Sequence, residues 1–400
     1  MASRVYHGWR VVVCAFFIAF FGWGLGFYGP GIYLVALQAR YGWSIAAISS
    51  AITVYFVVGA ALVMVVTAAF ERFGPRPVVV GGSLAMAAGV AALSLPTAPW
   101  QVHLAFVAMA LGWASMSGAA VNTIIAPWFD ARRGLAVSLA LNGASCGGIV
   151  LAPLLVGLID RVGFAAAVRI VAVGMLVLLL PLVVAVLRPR RAGEHDRPRP
   201  GTAADGAPAG PWRAATIVRS CSFLTISIPF ALGLVAQVGF LTHQVAFLAP
   251  RIGVAGAGWA VSLTTAAAVV GRVGTGFFID RIDRRTGAAA NFAVQIAGML
   301  MLLQAGSPAM LHAGCVLFGL GVGNLITFPA LIVQQEFPKA HFARTVALVV
   351  AVNQVTFAFG PGLLGIIRET TGSYSWALVV CIAMQLAGAA VVLVRPRPAG

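Results

Sequence analysis

Apolar residues in this chain come in long runs rather than narrow stripes. Twelve stretches can be placed near 10–37, 45–70, 77–97, 101–127, 134–159, 165–187, 222–249, 256–279, 286–305, 308–335, 342–368 and 373–394, each long enough to cross a bilayer at about 20 residues. The runs are too long for strands and lack strict alternation. They predict spanning α-helices, the form in which a backbone satisfies its own polar groups where no water is available. Between the sixth and seventh runs, from about 188 to 220, the chain becomes rich in Arg, Pro, Gly and Ala and poor in core-forming residues. The expected organisation is a six-helix bundle over 1–187, a flexible basic linker over 188–220 and a second six-helix bundle over 221–400.

Composition supports lipid as the solvent. Hydrophobic residues make up 60% of the 400 positions and charged residues 9%, with a mean hydropathy of +0.97. A soluble chain could not hide that much apolar side chain behind so few charges. The first run starts near Trp9 and continues for a full bilayer width without a cleavage-site pattern, so it is expected to be a retained helix. A net charge of +16 would suggest nucleic acid in a soluble protein, but here the arginines sit in short loops between runs. Twenty Lys and Arg fall on the side that holds both termini and the linker, and five (Arg40, Arg161, Arg169, Arg251 and Arg368) on the other. The positive-inside rule then makes both termini cytoplasmic, in a multi-pass protein of the plasma (inner) membrane. The five cysteines, Cys14, Cys146, Cys221, Cys315 and Cys381, are scattered singly, so neither a metal nor a disulfide framework is expected.

The halves resemble each other at offsets of 208 to 211 residues. Pro153-x-x-x-Gly157 matches Pro361-x-x-x-Gly365 at 208; His103 and Leu111-Gly112 match His312 and Leu320-Gly321 at 209. Glu71-Arg72 matches Asp280-Arg281 at 209, and Arg40-x-Gly42 matches Arg251-x-Gly253 at 211. Matches in order at a nearly fixed offset imply duplication. Two parallel six-helix repeats give a pseudo-twofold axis along the membrane normal and an expected cavity at the midplane between them.

Six plus six helices, a basic central loop, and the turns Phe70-Glu71-Arg72-Phe73-Gly74 and Ile279-Asp280-Arg281 resemble the major facilitator superfamily over essentially the whole chain. The first turn departs from that superfamily's loop motif, with Glu71 where Asp is usual and Pro77 replacing a base. Four stretches are similar to bacterial monocarboxylate transporters and oxalate/formate antiporters. They are Tyr41-Gly42-Trp43-Ser44, Arg132-Arg133-Gly134-Leu135-Ala136, Thr242-His243-Gln244-Val245-Ala246-Phe247-Leu248, and Gly271-Arg272 with Gly276 and Asp280-Arg281. The resemblance implies the major facilitator fold and places a substrate-binding arginine at Arg272. A monomer without cofactor or metal is expected.

Arg272 is the sharpest chemical feature. It lies eight residues before Asp280, or about 12 Å into the bilayer at 1.5 Å per residue, where an arginine costs at least about 2.5 kcal/mol. Its planar fork suits a substrate carboxylate, whereas the structural alternative is a partner to helix-end carbonyls or to another helix. His243 lies in mid-run, one run earlier. Three readings stay open for it: substrate contact, proton carriage opposed by a neighbouring Arg272, and a satisfied structural imidazole. No Asp or Glu lies in the middle of a run, although an intramembrane carboxylate is the usual proton relay of a symporter. Animal monocarboxylate carriers have an Asp one turn before the arginine, where this chain has Ala268; oxalate antiporters have a second cation where it has Asn353 and Gln354. Coupling would then use His243, the substrate's own carboxyl group or no proton, and one buried cation favours a monoanion.

Other polar residues within the runs include Tyr28, Tyr33, Ser117, Asn122, Asn142, Ser145, Gln237 and Asn324. Each could line a cavity or join helices. Tyr28, Asn142, Asn324 and Asn353 are the candidates for substrate contact alongside Arg272 and His243. At the cytoplasmic turns Glu71, Arg72, Asp130, Arg132, Asp280, Arg281 and Glu336 either pair to hold an inner gate or are solvated loop charges. The chain therefore reads as a secondary transporter of a small organic anion, a monocarboxylate, by alternating access. The alternative is a multidrug or other solute efflux antiporter, which predicts an acidic cavity residue that is missing. No cluster of nucleophile, base or metal ligands at one depth suggests an enzyme, and no ATP-binding P-loop occurs. A substrate-sensing receptor on a transporter fold also stays open.

Overall fold

A computed structural model describes residues 6–129, 132–188 and 214–395. Among the described residues all regular structure is helical. The chain divides into two compact units, Met1–Thr202 and Ala203–Gly400.

The first unit contains α1 (His7–Tyr41), α2 (Ile45–Phe73), α3 (Pro75–Ala92), α4 (Pro99–Ile125), α5 (Arg133–Val162) and α6 (Phe164–Val186). The second contains α7 (Cys221–Phe278), α8 (Arg284–Leu303), α9 (Pro308–Val322), α10 (Phe328–Glu336), α11 (Phe342–Thr371) and α12 (Tyr374–Val392). Among the described residues, ten segments are long and apolar enough to cross a membrane. The twelve apolar runs map onto these ten for two local reasons. The seventh and eighth runs share α7, a 58-residue segment bent at Gly253, whose φ of 72° only glycine adopts readily. The tenth run is interrupted at 323–327, which leaves α9 with 15 residues and α10 with 9.

Capping follows sequence closely. Ser44, Ser220, Asp283 and Ser307 each accept a backbone N–H in the first turn of the helix they precede, replacing one of the donors a helix start leaves free. Within the expected flexible linker, residues 189–213 lie outside the described ones; Ala214–Val218 forms a short helical turn, and Arg188 lies over the Trp128 ring at 5.7 Å.

The two units repeat one packing scheme. In the first, α1 packs on α5, and α3 on α4 and α6; in the second, α7 packs on α11, and α8 on α9 and α12. Their cores differ. The first unit buries Tyr33, Tyr55, Phe56, Met86 and Phe106, with Trp113 in ring contact with Trp23 and Phe27. The second buries Phe223, Phe230, Phe292 and Phe328 around one end, together with a set of amides: Gln237, Gln244, Asn291, Gln295, Asn324, Asn353 and Gln385. Because lipid tails are as apolar as leucine, close packing and interhelical hydrogen bonds hold such bundles together.

Candidate functional site

Helix α9 ends at Val322, and the chain makes a turn over 323–327 before α10 begins at Phe328. A break inside an apolar run frees carbonyls that lipid cannot satisfy, so they must find partners within the protein. Side-chain amides take that part. Asn324 Nδ2 donates to Leu320 O at 3.2 Å, and Asn291 Nδ2, from α8, donates to Gly321 O at 3.2 Å. The two amides are themselves joined, Asn324 Nδ2 to Asn291 Oδ1 at 2.9 Å, and Asn324 also donates to Thr275 Oγ1 of α7 at 2.9 Å. Carbonyls only accept, which fixes both amide orientations. Asn324 is thereby oriented as a donor to three acceptors, while its own Oδ1 is buried without a hydrogen-bond partner.

Arg272 is placed by the same break. It is half-buried, one turn before Thr275 on α7, and its guanidinium lies directly over Gly323. A Cβ added to Gly323 would stand 2.9 Å from Arg272 Nε and 3.0 Å from Nη2, so only glycine leaves room for this seat. Helix α7 is already as close as backbone allows here, since a Cβ on Gly271 would fall 1.9 Å from Leu320 O. The carbonyl end of α9 points partial negative charge at this region, a favourable setting for a cation.

Of the six sequence-level contact residues, the structure brings Arg272 and Asn324 to one locus. His243 is buried elsewhere in the second unit, with Nε2 donating to Pro361 O at 2.9 Å and Nδ1 facing Tyr374 Oη at 3.0 Å. Because Pro361 O can only accept, Nε2 carries the hydrogen and Nδ1 accepts from the tyrosine. Both ring nitrogens are thus engaged. Asn353 is buried on α11 with Oδ1 lacking a hydrogen-bond partner. In the first unit Tyr28 ends a π-helical turn, Gly24–Tyr28, and its ring meets Phe27 edge-on; Asn142 is exposed on α5.

The charges expected at an inner gate separate. Glu71, Arg72, Arg132 and Arg281 are exposed, with Arg72 lying over the Phe73 ring at 5.2 Å. Asp130 lies outside the described residues, as does the side chain of Asp280. The ion pairs among the described residues are Arg285 with Glu336 and Asp283 with Arg395. Sequence reasoning had counted Arg285 as a loop charge, but it is buried at the start of α8. Its Nε donates to Glu336 Oε1 at 2.5 Å and its Nη2 to Oε2 at 2.8 Å. Its Nη1 donates to Val392 O at 2.8 Å and Val394 O at 3.0 Å, and its Nη2 to Thr225 Oγ1 at 3.0 Å. One guanidinium therefore ties together α7, α8, α12 and the end of α10. Asn291, Gln295 and Gln385 were also missed. A usable signal for Arg285 was the scarcity of acids, because with ten in the chain each one at a helix end needs a cation nearby. No group of three His, Cys, Asp or Glu suited to a metal is found among the described residues.

Two units of long apolar helices with matching packing define a polytopic α-helical membrane protein. The Major Facilitator Superfamily model matches residues 12–256 and 216–400, and the chain belongs to that superfamily of transporters. It is 27% identical over 402 residues to monocarboxylate transporter 13 of Bos taurus, covering 97% of this chain and 89% of that protein. It is 25% identical over 333 residues to the fujikurins efflux protein of Gibberella fujikuroi, covering 81% and 68%. Among solved structures, a bacterial homolog of the human lysosomal transporter Spinster, inward-facing and occupied, has a TM-score of 0.71 at 14% identity, covering 98% and 97% of the two chains. The nucleoside transporter NupG also has a TM-score of 0.71, at 11% identity, covering 96% and 97%. Those likenesses concern the fold. The chain is a transporter and not an enzyme.

Proposed function

We propose that this protein is a secondary transporter of a small organic anion, a short monocarboxylate, and that Arg272 binds the carboxylate. The observation that carries the reading is the seat of Arg272: a half-buried guanidinium within an apolar segment, over a glycine at a helix break. A cation so placed is costly unless it has a function or a partner, and its fork matches a carboxylate. No acidic residue occurs in the middle of an apolar run to compete for it. Likeness to a monocarboxylate transporter along 97% of the chain supports the same reading. The reading includes alternating access, residence in the plasma membrane and cytoplasmic termini, on the strength of the arginine asymmetry. Since both nitrogens of His243 are engaged, any coupled proton travels on the substrate's own carboxyl group.

In proteoliposomes under an inward proton gradient, radiolabelled lactate or pyruvate should accumulate, and Arg272→Ala should reduce uptake at least tenfold. Uptake equal to wild type in that variant would remove Arg272 from the site. Export from preloaded vesicles separates uptake from the efflux activity named for one fungal relative.

A further inference from the structure

The amide that holds the helix break is placed to control Arg272 without meeting the substrate. Asn291 sits on α8, and its two polar atoms face different parts of the break: Nδ2 donates to Gly321 O, and Oδ1 accepts from Asn324. One turn later on the same face, the side chain of Gln295 lies against Gly321, where an added Cβ would stand 2.4 Å from its Cγ. Gly321, Gly323 and Asn324 thus form one short piece of backbone, read from the α8 side by two amides and from the α7 side by Arg272 and Thr275. Gly323 itself has ordinary helical angles, φ −68° and ψ −21°, and Pro329 in the first turn of α10 offers no N–H to the turn before it. At the break the Asn324 backbone N–H turns to Gly321 O at 3.2 Å, while side-chain amides reach Leu320 O and add a second donor at Gly321 O.

We propose that Asn291 is a positioning residue that fixes the seat of the Arg272 guanidinium through the Gly321–Asn324 backbone, and so sets affinity for the anion. This rests on the reading that Arg272 binds the substrate carboxylate. Replacing Asn291 by leucine keeps the branched shape of the side chain and removes both bonds. Gly321 O keeps the Asn324 backbone N–H at 3.2 Å and the Asn324 amide keeps Leu320 O and Thr275 Oγ1, but the turn loses its tie to α8, shifts, and takes the guanidinium with it. Because Asn291 bonds to the α9 break and not to the charge itself, its loss should weaken anion capture more than it slows the cycle.

The test is initial-rate uptake of radiolabelled lactate in proteoliposomes by wild type and four variants. Asn291→Leu should raise KM about tenfold while maximal rate stays within about twofold. Gly323→Ala removes no polar group but puts a Cβ 2.9 Å from Arg272 Nε, and it should raise KM in the same way, even if Asn291→Leu is too unstable to reconstitute. Gln385→Leu removes a buried amide that bonds no atom of the break and reaches it only through Gln295, at 3.0 Å; its KM should stay at the wild-type value even if its melting temperature falls. An unchanged KM in Gly323→Ala and Asn291→Leu, or an equal rise in Gln385→Leu, overturns the positioning role while leaving Arg272 as the binding group. Wild-type uptake by Arg272→Ala overturns the underlying reading instead.

Discussion

In the first unit Gly82 of α3 packs against Ser115 of α4, and 209 residues later Asn291 of α8 bonds Asn324 just beyond α9. Met86 lies across Gly112 in the one joint, and Gln295 lies across Gly321 in the other, again 209 residues on. The glycines keep the same close approach, with an added Cβ 2.5 Å from Met86 Cβ and 2.4 Å from Gln295 Cγ. Duplication preserved the backbone spacing of the joint and let its chemistry diverge. Ser115 satisfies itself within its own helix through Leu111 O at 2.9 Å, so the first joint is closed to polar partners. The second joint passes hydrogen bonds between helices: Gln385 to Gln295 at 3.0 Å and Gln295 to Gln237 at 3.1 Å. The second unit thus bears the polar burden of the fold, and the first is the tight aromatic partner.

The contrast is sharpest at the end of each unit where α3 and α8 begin. The counterpart of Arg285 at 209 residues is Arg76, and that of Glu336 is Pro127, so the first unit has no equivalent pair. Arg76 is exposed, whereas Arg285 is buried with five acceptor contacts at 3.0 Å or less. Arg285→Leu strands the Glu336 carboxylate and should cost about 3 kcal/mol, the low end for a broken buried pair, because Glu336 is 23% exposed. Arg76→Leu should stay within about 0.5 kcal/mol. Thermal unfolding of both variants in one detergent reads the difference. Equal losses would mean that the two ends are built alike.

Exchanging polarity across the paired joints probes the same contrast at smaller scale. Met86→Gln brings an amide into the aromatic joint, where Tyr55 Oη is buried without a hydrogen-bond partner. The amide should still cost about 2 kcal/mol, the desolvation of a poorly met polar group. Gln295→Met loses two interhelical bonds, each worth about 0.6 kcal/mol in membranes, for a total of about 1 kcal/mol. Melting temperatures should rank Met86→Gln below Gln295→Met. The opposite order would show that the second joint, not the first, is the intolerant one.

Much of this was legible in the sequence because bilayer thickness and duplication leave long-range marks. Apolar runs report spans, and Leu111-Gly112 against Leu320-Gly321 reports the repeat that the α3–α4 and α8–α9 joints bear out. Arg272 stood out because a lone cation in an apolar run has few structural explanations. The partners of polar groups were not legible. Asn291 and Gln295 read as ordinary helix residues, since nothing local says that the facing helix will break at Gly323. Arg285 was hidden by Arg281 and Arg284 beside it, although a shift of one residue around a helix decides which guanidinium points inward. His243 left three readings open, and only its neighbours Pro361 and Tyr374, more than 110 residues away, tell which atoms are engaged.

The smallest expected effect lies where the paired helices begin. Helix α3 starts after Gly74, with φ 79° and no side chain to cap it, and with Pro75 in the first turn; α8 starts after Asp283, which caps it. The Asp283 carboxyl is held below its ordinary value of 3.8, first by the Thr286 N–H at 2.9 Å, opposed in part by slight burial, then by the Thr286 hydroxyl and Arg395. A carboxylate whose folded pKa is depressed contributes stability that is complete above its unfolded pKa and is lost as pH falls through the folded value. The group is largely solvated, so its capping contribution is roughly 0.5 kcal/mol, at the low end for such caps. Asp283→Asn keeps an acceptor but no charge. Melting curves of the two proteins should differ slightly at pH 6, draw together as pH falls below about 4 and converge once the depressed folded value is passed, whereas Gly74→Ala, which forces a side chain into a left-handed φ, should lower stability equally across that range. A gap for Asp283→Asn that persists unchanged at about pH 2, well below the ordinary carboxylate range, would assign it to packing rather than to the carboxylate charge, and the two helix starts would then differ only in backbone.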